Sequence, residues 1–135
     1  FYLARAIVPS MMKRKSGSIV ALGGIASMTA QPQRAHVVAS KSGLYGLIRA
    51  LALELGPYNI RANLIALGMI ENVRANPEWY PERGGGSYTG DDLAGIPLRR
   101  FGKPQEVANV AVFLASDQSS FITGDRIVCA GGKYI

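Results

Sequence analysis

Near the start of the stretch AHVVASKSGLYGLIRALALELG, Ala35 to Gly56, stands Lys41. The stretch reads as one long helix that ends on a glycine. An ammonium group placed there can stabilise a negative charge, hold a hydroxyl-bearing ligand by hydrogen bonds, or simply brace its surroundings. One helical turn earlier, on the same face, is Val37, which has no proton to transfer. Other reactive side chains are sparse. Cys129 is the single cysteine, which excludes an internal disulfide. It lies in a short apolar run with no activating His or Lys nearby, and reads as a small buried hydrophobe. No GxGxxG or phosphate-loop pattern occurs, and GGIAS, from Gly23, reads as a flexible loop rather than a phosphate cradle. No metal site is expected.

The elements that must position Lys41 follow from hydrophobic period and turn signals. A first helix is expected over about 1–15. GSIVAL (Gly17 to Leu22) is a short apolar run bounded by glycines and reads as a strand buried on both faces. The loop GGIASMTAQPQR leads into the Lys41 helix, which should stop at Gly56-Pro57. NIRANLIA (Asn59 to Ala66) is a second strand. A long irregular segment, about 67–98, is placed like a lid; its Trp79, Tyr80 and Tyr88 suit ligand contact and lid packing equally. A third helix starts near Pro104 in KPQEVANVAVFLASD, and GDRIVCAGG holds a third strand. The order α-β-α-β-loop-α-β implies a parallel sheet with flanking helices. In such sheets ligands bind outside the carboxyl ends of the strands. Those ends are Gly23-Gly24, Leu67-Gly68-Met69-Ile70 and Gly131-Gly132.

Composition agrees with one globular α/β domain: 48% hydrophobic, 18% charged, 16 glycines and 7 prolines. No apolar run reaches the ~18 residues that span a membrane. The net charge of +6 is scattered and lacks interleaved aromatics, so it reads as solvated surface rather than a nucleic-acid face. A lone cysteine suits a cytoplasmic setting. Phe1 opens in what reads as mid-helix without a capping residue, so the expectation is a chain that begins inside a longer protein. Three strands make a thin sheet whose first strand has an exposed apolar edge, which the absent half or another chain should cover.

Three pieces in this order and spacing are specific together: GSIV before the site loop; ASKSGLYGLIRALALELGPYNIRANLIALGMI; and IPLRRFGKPQEVANVAVFLASDQSSFITGDRIVCAGG. Over nearly its whole length the chain resembles the C-terminal half of a short-chain dehydrogenase/reductase (SDR). The resemblance implies a Rossmann-like parallel sheet with flanking helices, here three strands and three main helices, spanning 1–135. It also implies NAD or NADP as cofactor, although the glycine-rich dinucleotide loop belongs to the family's other half. The family moves a hydride between a nicotinamide and a carbonyl or alcohol. A tyrosine transfers the proton, a lysine four residues later lowers its pKa and bonds the nicotinamide ribose, and a serine holds the substrate oxygen.

Placed on that pattern, Lys41 matches the lysine, Val37 occupies the tyrosine position and Gly24 the serine position. Leu67 stands for a proline, Asn72 for a threonine near the nicotinamide, and Ala130 for an acidic residue. Packing positions match while site positions are replaced. Lys41, Gly68, Ile70 and Asn72 are the expected cofactor contacts. His36, beside the lost tyrosine, is turned by about 100° on a helix and points elsewhere. Tyr45, one turn after Lys41, is expected in packing. Ser27 and Ser40 have no visible base. The first expectation is therefore a non-catalytic subunit beside an active homologous chain, in a homo- or heterotetramer through helices 1–15 and 35–55. A divergent oxidoreductase and a dinucleotide-binding sensor are the alternatives.

Overall fold

The computed structural model describes residues 1–30, 32–71 and 93–134. Its centre is strand β2, Ile60–Leu67, flanked by β1, Gly17–Leu22, and β3, Arg126–Cys129. The order is β1-β2-β3 and both pairings are parallel. Gly17 lies opposite Ile60 and Leu22 opposite Ile65, while Leu64 faces Arg126 and Leu67 faces Cys129. This is the predicted Rossmann-like arrangement, and its period-two alternation decides which side chain faces which helix.

On one face lies helix α2, Ala35–Leu55. Its Ile48 and Ala52 pack on Ala62, Leu64 and Ala66 of β2, with Ile19, Ala21, Leu44, Tyr45 and Leu51 around them. The alternate residues of β2 face the other way. Ile65 is fully buried there, and Asn63 is satisfied by donating to the Ile122 carbonyl (2.8 Å) and accepting from the Asp125 N–H (3.1 Å). Helix α3, Pro104–Ala115, supplies buried Leu114. Coverage on both sides explains why Ala62 to Ala66 form an unbroken buried run.

Two polar ties fix α3 to the sheet. Ser18 and Arg61 are opposite each other in the β1–β2 register, and both donate to the Leu114 carbonyl, each at 2.8 Å. Arg61 also donates to the Ser116 carbonyl and to Ser119 Oγ, each at 2.9 Å. A guanidinium at a helix C-terminus satisfies carbonyls that the helix itself leaves open, and favours the local dipole.

Two details differ from the sequence reading and one refines it. Helix α2 stops at Gly56-Pro57 as expected. Gly56 stays right-handed at φ −51°, a short 3-10 turn follows over Gly56–Tyr58, and Asn59 takes the left-handed position at φ 56°. Pro57 has no N–H to continue the α ladder but fits a first turn, and asparagine tolerates the left-handed region. Strand β1 is half-buried rather than buried on both faces. Among the described residues it is bonded on one side, and its last residue, Leu22, is 55% exposed. The two described ends of the irregular segment, about 67–98, carry more order than expected. Leu67 ends β2, Ile70 forms a bridge with Gly102, Ile96 is buried, and the Leu98 N–H bonds the Gly131 carbonyl. No helix of the described residues is long and apolar enough to cross a membrane.

Candidate functional site

Strand β1 continues its ladder one residue further, through the Gly23 N–H to the Ile65 carbonyl at 2.9 Å. The chain then passes Gly24 and turns through the 3-10 turn Ile25–Ser27, with Ile25 and Ala26 buried. The two glycines differ in kind. A Cβ on Gly23 would meet the Leu64 methyls at 2.8 and 2.9 Å, so packing demands glycine there. Gly24 is extended, with φ −164° and ψ 158°, a conformation open to any residue. A Cβ on it would meet nothing closer than the Leu67 carbonyl oxygen at 3.8 Å and Lys41 Cε and Cδ at 3.9 and 4.0 Å. The structure therefore brings Gly24 and Lys41 together, as the family pattern requires, and keeps room at Gly24 for a side chain. Lys41 is half-buried, and among the described residues its ammonium has no hydrogen-bond or ion-pair partner. Val37, half-buried one turn before it, presents only hydrocarbon.

The second strand end contributes backbone. Gly68 lies so close to β3 that a Cβ would sit 2.7 Å from Ala130 Cα, which gives that glycine a packing reason. Beyond it, Gly102 donates to the Met69 carbonyl (3.0 Å) and accepts from the Glu71 N–H (2.8 Å). In a parallel bridge of this kind one residue uses both its groups and the residue opposite uses neither. The N–H and C=O of Ile70 therefore point away from Gly102 and have no backbone partner among the described residues. Asn72, Trp79, Tyr80 and Tyr88 lie outside the described residues.

The remaining candidates sort out by environment. His36 is exposed in the first turn of α2, on the neighbouring face to Val37. Tyr45 packs against the core, its ring 4.5 Å from the Arg126 guanidinium and 6.0 Å from that of Arg49. Ser27 Oγ is buried without a partner among the described residues, and Ser40 is exposed. Cys129 borders a cavity of about 230 Å³ with Met69, Ile70, Leu98, Arg100 and Ala130. Burial pushes its thiol up, and the negative charge of Glu106 adds to that, so it stays protonated. Glu106 accepts from Arg100 Nη1 and Nη2 (2.8 and 2.7 Å) and from the Lys103 N–H (2.7 Å). Those bonds, the arginine first, hold its carboxyl down at about 2. No group of three or more His, Cys, Asp or Glu able to hold a metal occurs among the described residues.

Sequence reasoning missed Arg126 and Arg61, charged residues at inward-facing strand positions. The signal was present for Arg61, which interrupts an apolar strand without a nearby acidic partner in sequence, but not for Arg126, which opens its strand directly after Asp125. Chemically, the site offers a cation over an open floor and, at Ile70, a donor–acceptor pair without partners among the described residues. Neither Val37 nor Gly24 brings a group that can carry a proton.

Comparison with known proteins places this geometry. A family model described as "Enoyl-(Acyl carrier protein) reductase" matches residues 1–133. The chain is 41% identical over 135 residues to the 3-oxoacyl-[acyl-carrier-protein] reductase FabG of Thermotoga maritima, covering all of this chain and 52% of that protein. It is 38% identical over 131 residues to "Dehydrogenase/reductase SDR family member 4" of Bos taurus, covering 97% of this chain and 46% of that one. A crystal structure of a 3-oxoacyl-[acyl-carrier protein] reductase with bound NAD from Brucella melitensis superposes with a TM-score of 0.80 at 38% identity, over 98% of this chain and 47% of that chain. The chain thus spans about half the length of these relatives. With its parallel sheet, its lysine over the β1 end and these matches along nearly every residue, the chain belongs to the short-chain dehydrogenase/reductase family.

Proposed function

We propose that this chain forms part of an SDR-type subunit that holds a nicotinamide nucleotide, NAD or NADP, but does not itself transfer the proton, and that it works beside an active homologous chain. The observation that carries this reading is the pair Gly24 and Val37: the scaffold around Lys41 is kept, and both proton-handling positions are without a polar side chain. The residues present fit the nucleotide. The Lys41 ammonium, without a partner among the described residues, suits ribose hydroxyls, and the N–H and C=O of Ile70, likewise without one there, match the acceptor and donor of a carboxamide. When bound, a nicotinamide supplies or accepts hydride. What this chain adds is binding and orientation. A homologous partner in a homo- or heterotetramer has a docking face in α1, Tyr2–Arg14, and α2. No residue of α1 is buried, and Phe1, Tyr2, Leu3 and Leu53 are all exposed.

A second reading is a divergent oxidoreductase acting on a carbonyl or alcohol with another proton donor. It is favoured by the relatives, which are named as reductases. One experiment separates the two. The complete protein is assayed with NADH and NADPH against 3-oxoacyl thioesters and simple ketones, and its native mass is measured. The expected result is a companion chain, no turnover, and measurable Lys41-dependent turnover once Gly24→Ser and Val37→Tyr are combined. Turnover by the unaltered protein that disappears on Lys41→Ala overturns the first reading in favour of the second.

A further inference from the structure

We propose that Arg126 is a positioning residue for the Lys41 site. It couples the turn that begins at Gly24 to the helix that carries Lys41. Its guanidinium stacks on Tyr45, one turn beyond Lys41 on the same face of α2, at 4.5 Å from the ring centroid. The same guanidinium donates from Nη1 to the Ser27 carbonyl at 3.4 Å, three residues after Gly24. One side chain rooted in β3 therefore touches both elements that flank the site.

The turn needs an outside constraint. Its own ties are the Ser27 N–H to the Gly24 carbonyl (2.9 Å) and, to the Ile25 carbonyl, the Met28 N–H (2.8 Å), the Thr29 N–H (3.2 Å) and Thr29 Oγ1 (3.3 Å); all are local and none reaches α2. Its one buried hydroxyl, Ser27 Oγ, has no partner among the described residues. Ile25 and Ala26 are buried, but apolar burial is non-directional and sets the depth of the turn rather than its position along the helix. A planar cation with a fixed fork supplies direction. Arg49 stacks on the same ring from farther off, at 6.0 Å, and reinforces the ring without reaching the turn. The spacing between Gly24 and Lys41 thus depends on a residue distant in sequence from both.

That this spacing matters for a nucleotide rests on the functional reading above, so the test has two readouts. Amide hydrogen exchange of the complete protein without ligand reports the turn, and titration with NADH followed by fluorescence reports the site. Arg126→Met should speed exchange at the Ser27 and Met28 amides by about tenfold and weaken NADH binding by about the same factor, the scale of a lost desolvated cation–π contact, while exchange across β2 is unchanged. Tyr45→Leu should behave alike, and Arg126→Lys and Tyr45→Phe should retain most of both signals. The double variant Arg126→Met/Tyr45→Leu should be no worse than either single change. Should Arg126→Met not fold, Tyr45→Leu keeps the charge and carries the same expectation. Unchanged exchange at Ser27 and Met28, additive effects in the double variant, or faster exchange with unaltered NADH affinity each overturn the proposal. An unaltered protein that binds neither NADH nor NADPH overturns the nucleotide reading instead, and the exchange data still decide whether Arg126 holds the turn.

Discussion

Gly24 and Gly68 both close strand ends, yet one must be glycine and the other need not be. At Gly68 the backbone of Ala130 fills the space a side chain would take; at Gly24 the space stands open beneath Lys41. The missing side chain at Gly24 therefore has no steric cause, and that is the observation on which the proposed function rests. Another residue gives the described residues a sensitivity to acid. Glu106, held at about 2 rather than the ordinary 4.5, favours the folded state while it is ionised. Its contribution is present in full above about 4.5 and is lost as pH falls toward 2, because the unfolded chain takes up the proton first. Thermal unfolding of Glu106→Gln should therefore match the unaltered protein more closely at the acid end of that window than at pH 7, where the variant is the less stable. Most of the site could be read beforehand, since the spacing of Gly24, Val37 and Lys41 is a one-dimensional signal. The roles of Arg126 and Ser27 could not, because they arise from contacts between β3, α2 and a turn far apart in the chain.

At the scale of elements, the sheet and its helices follow from sequence period alone. A glycine-bounded apolar run marks β1, the stretch NIRANLIA marks β2, and the span of α2 is as expected, Ala35–Leu55. Its stop at Gly56-Pro57 is as expected too; what the sequence left open is the short 3-10 turn that Pro57 begins there. The join between α3 and the sheet was also hidden in the sequence. Arg61 satisfies the carbonyls of Leu114 and Ser116 from the strand opposite. Arg61→Met should destabilise the fold by ~2 kcal/mol, since charged hydrogen bonds are lost and buried carbonyls are left bare. Urea unfolding measures this, and Arg61→Lys should rescue little of it, because an ammonium lacks the planar fork.

For the whole molecule, spatial order and chain order coincide: β1, then β2, then β3. Helix α2 crosses from β1 to β2 and buries Ile48 and Ala52 on the strand it leads into. The edges of this sheet and the exposed residues of α1 and α2 leave surface for further chain, in keeping with relatives about twice as long. The coincidence of orders also has a kinetic meaning. The unit from Gly17 to Leu67 closes through one helix and short connections, whereas β3 must find β2 across the long link from Leu67 to Arg126. Loop closure over a longer link costs more entropy before any contact repays it, so the first unit forms the folding nucleus and β3 docks afterwards. In the complete protein, Leu64→Ala and Ile48→Val should slow folding, with φ-values of about 0.5–0.8, while Ile127→Val should chiefly speed unfolding. Arg126 arrives with that last strand, so on the role proposed for it the turn at Gly24 is fixed beside Lys41 only in the final step, and the candidate site is the last part of the chain to become defined.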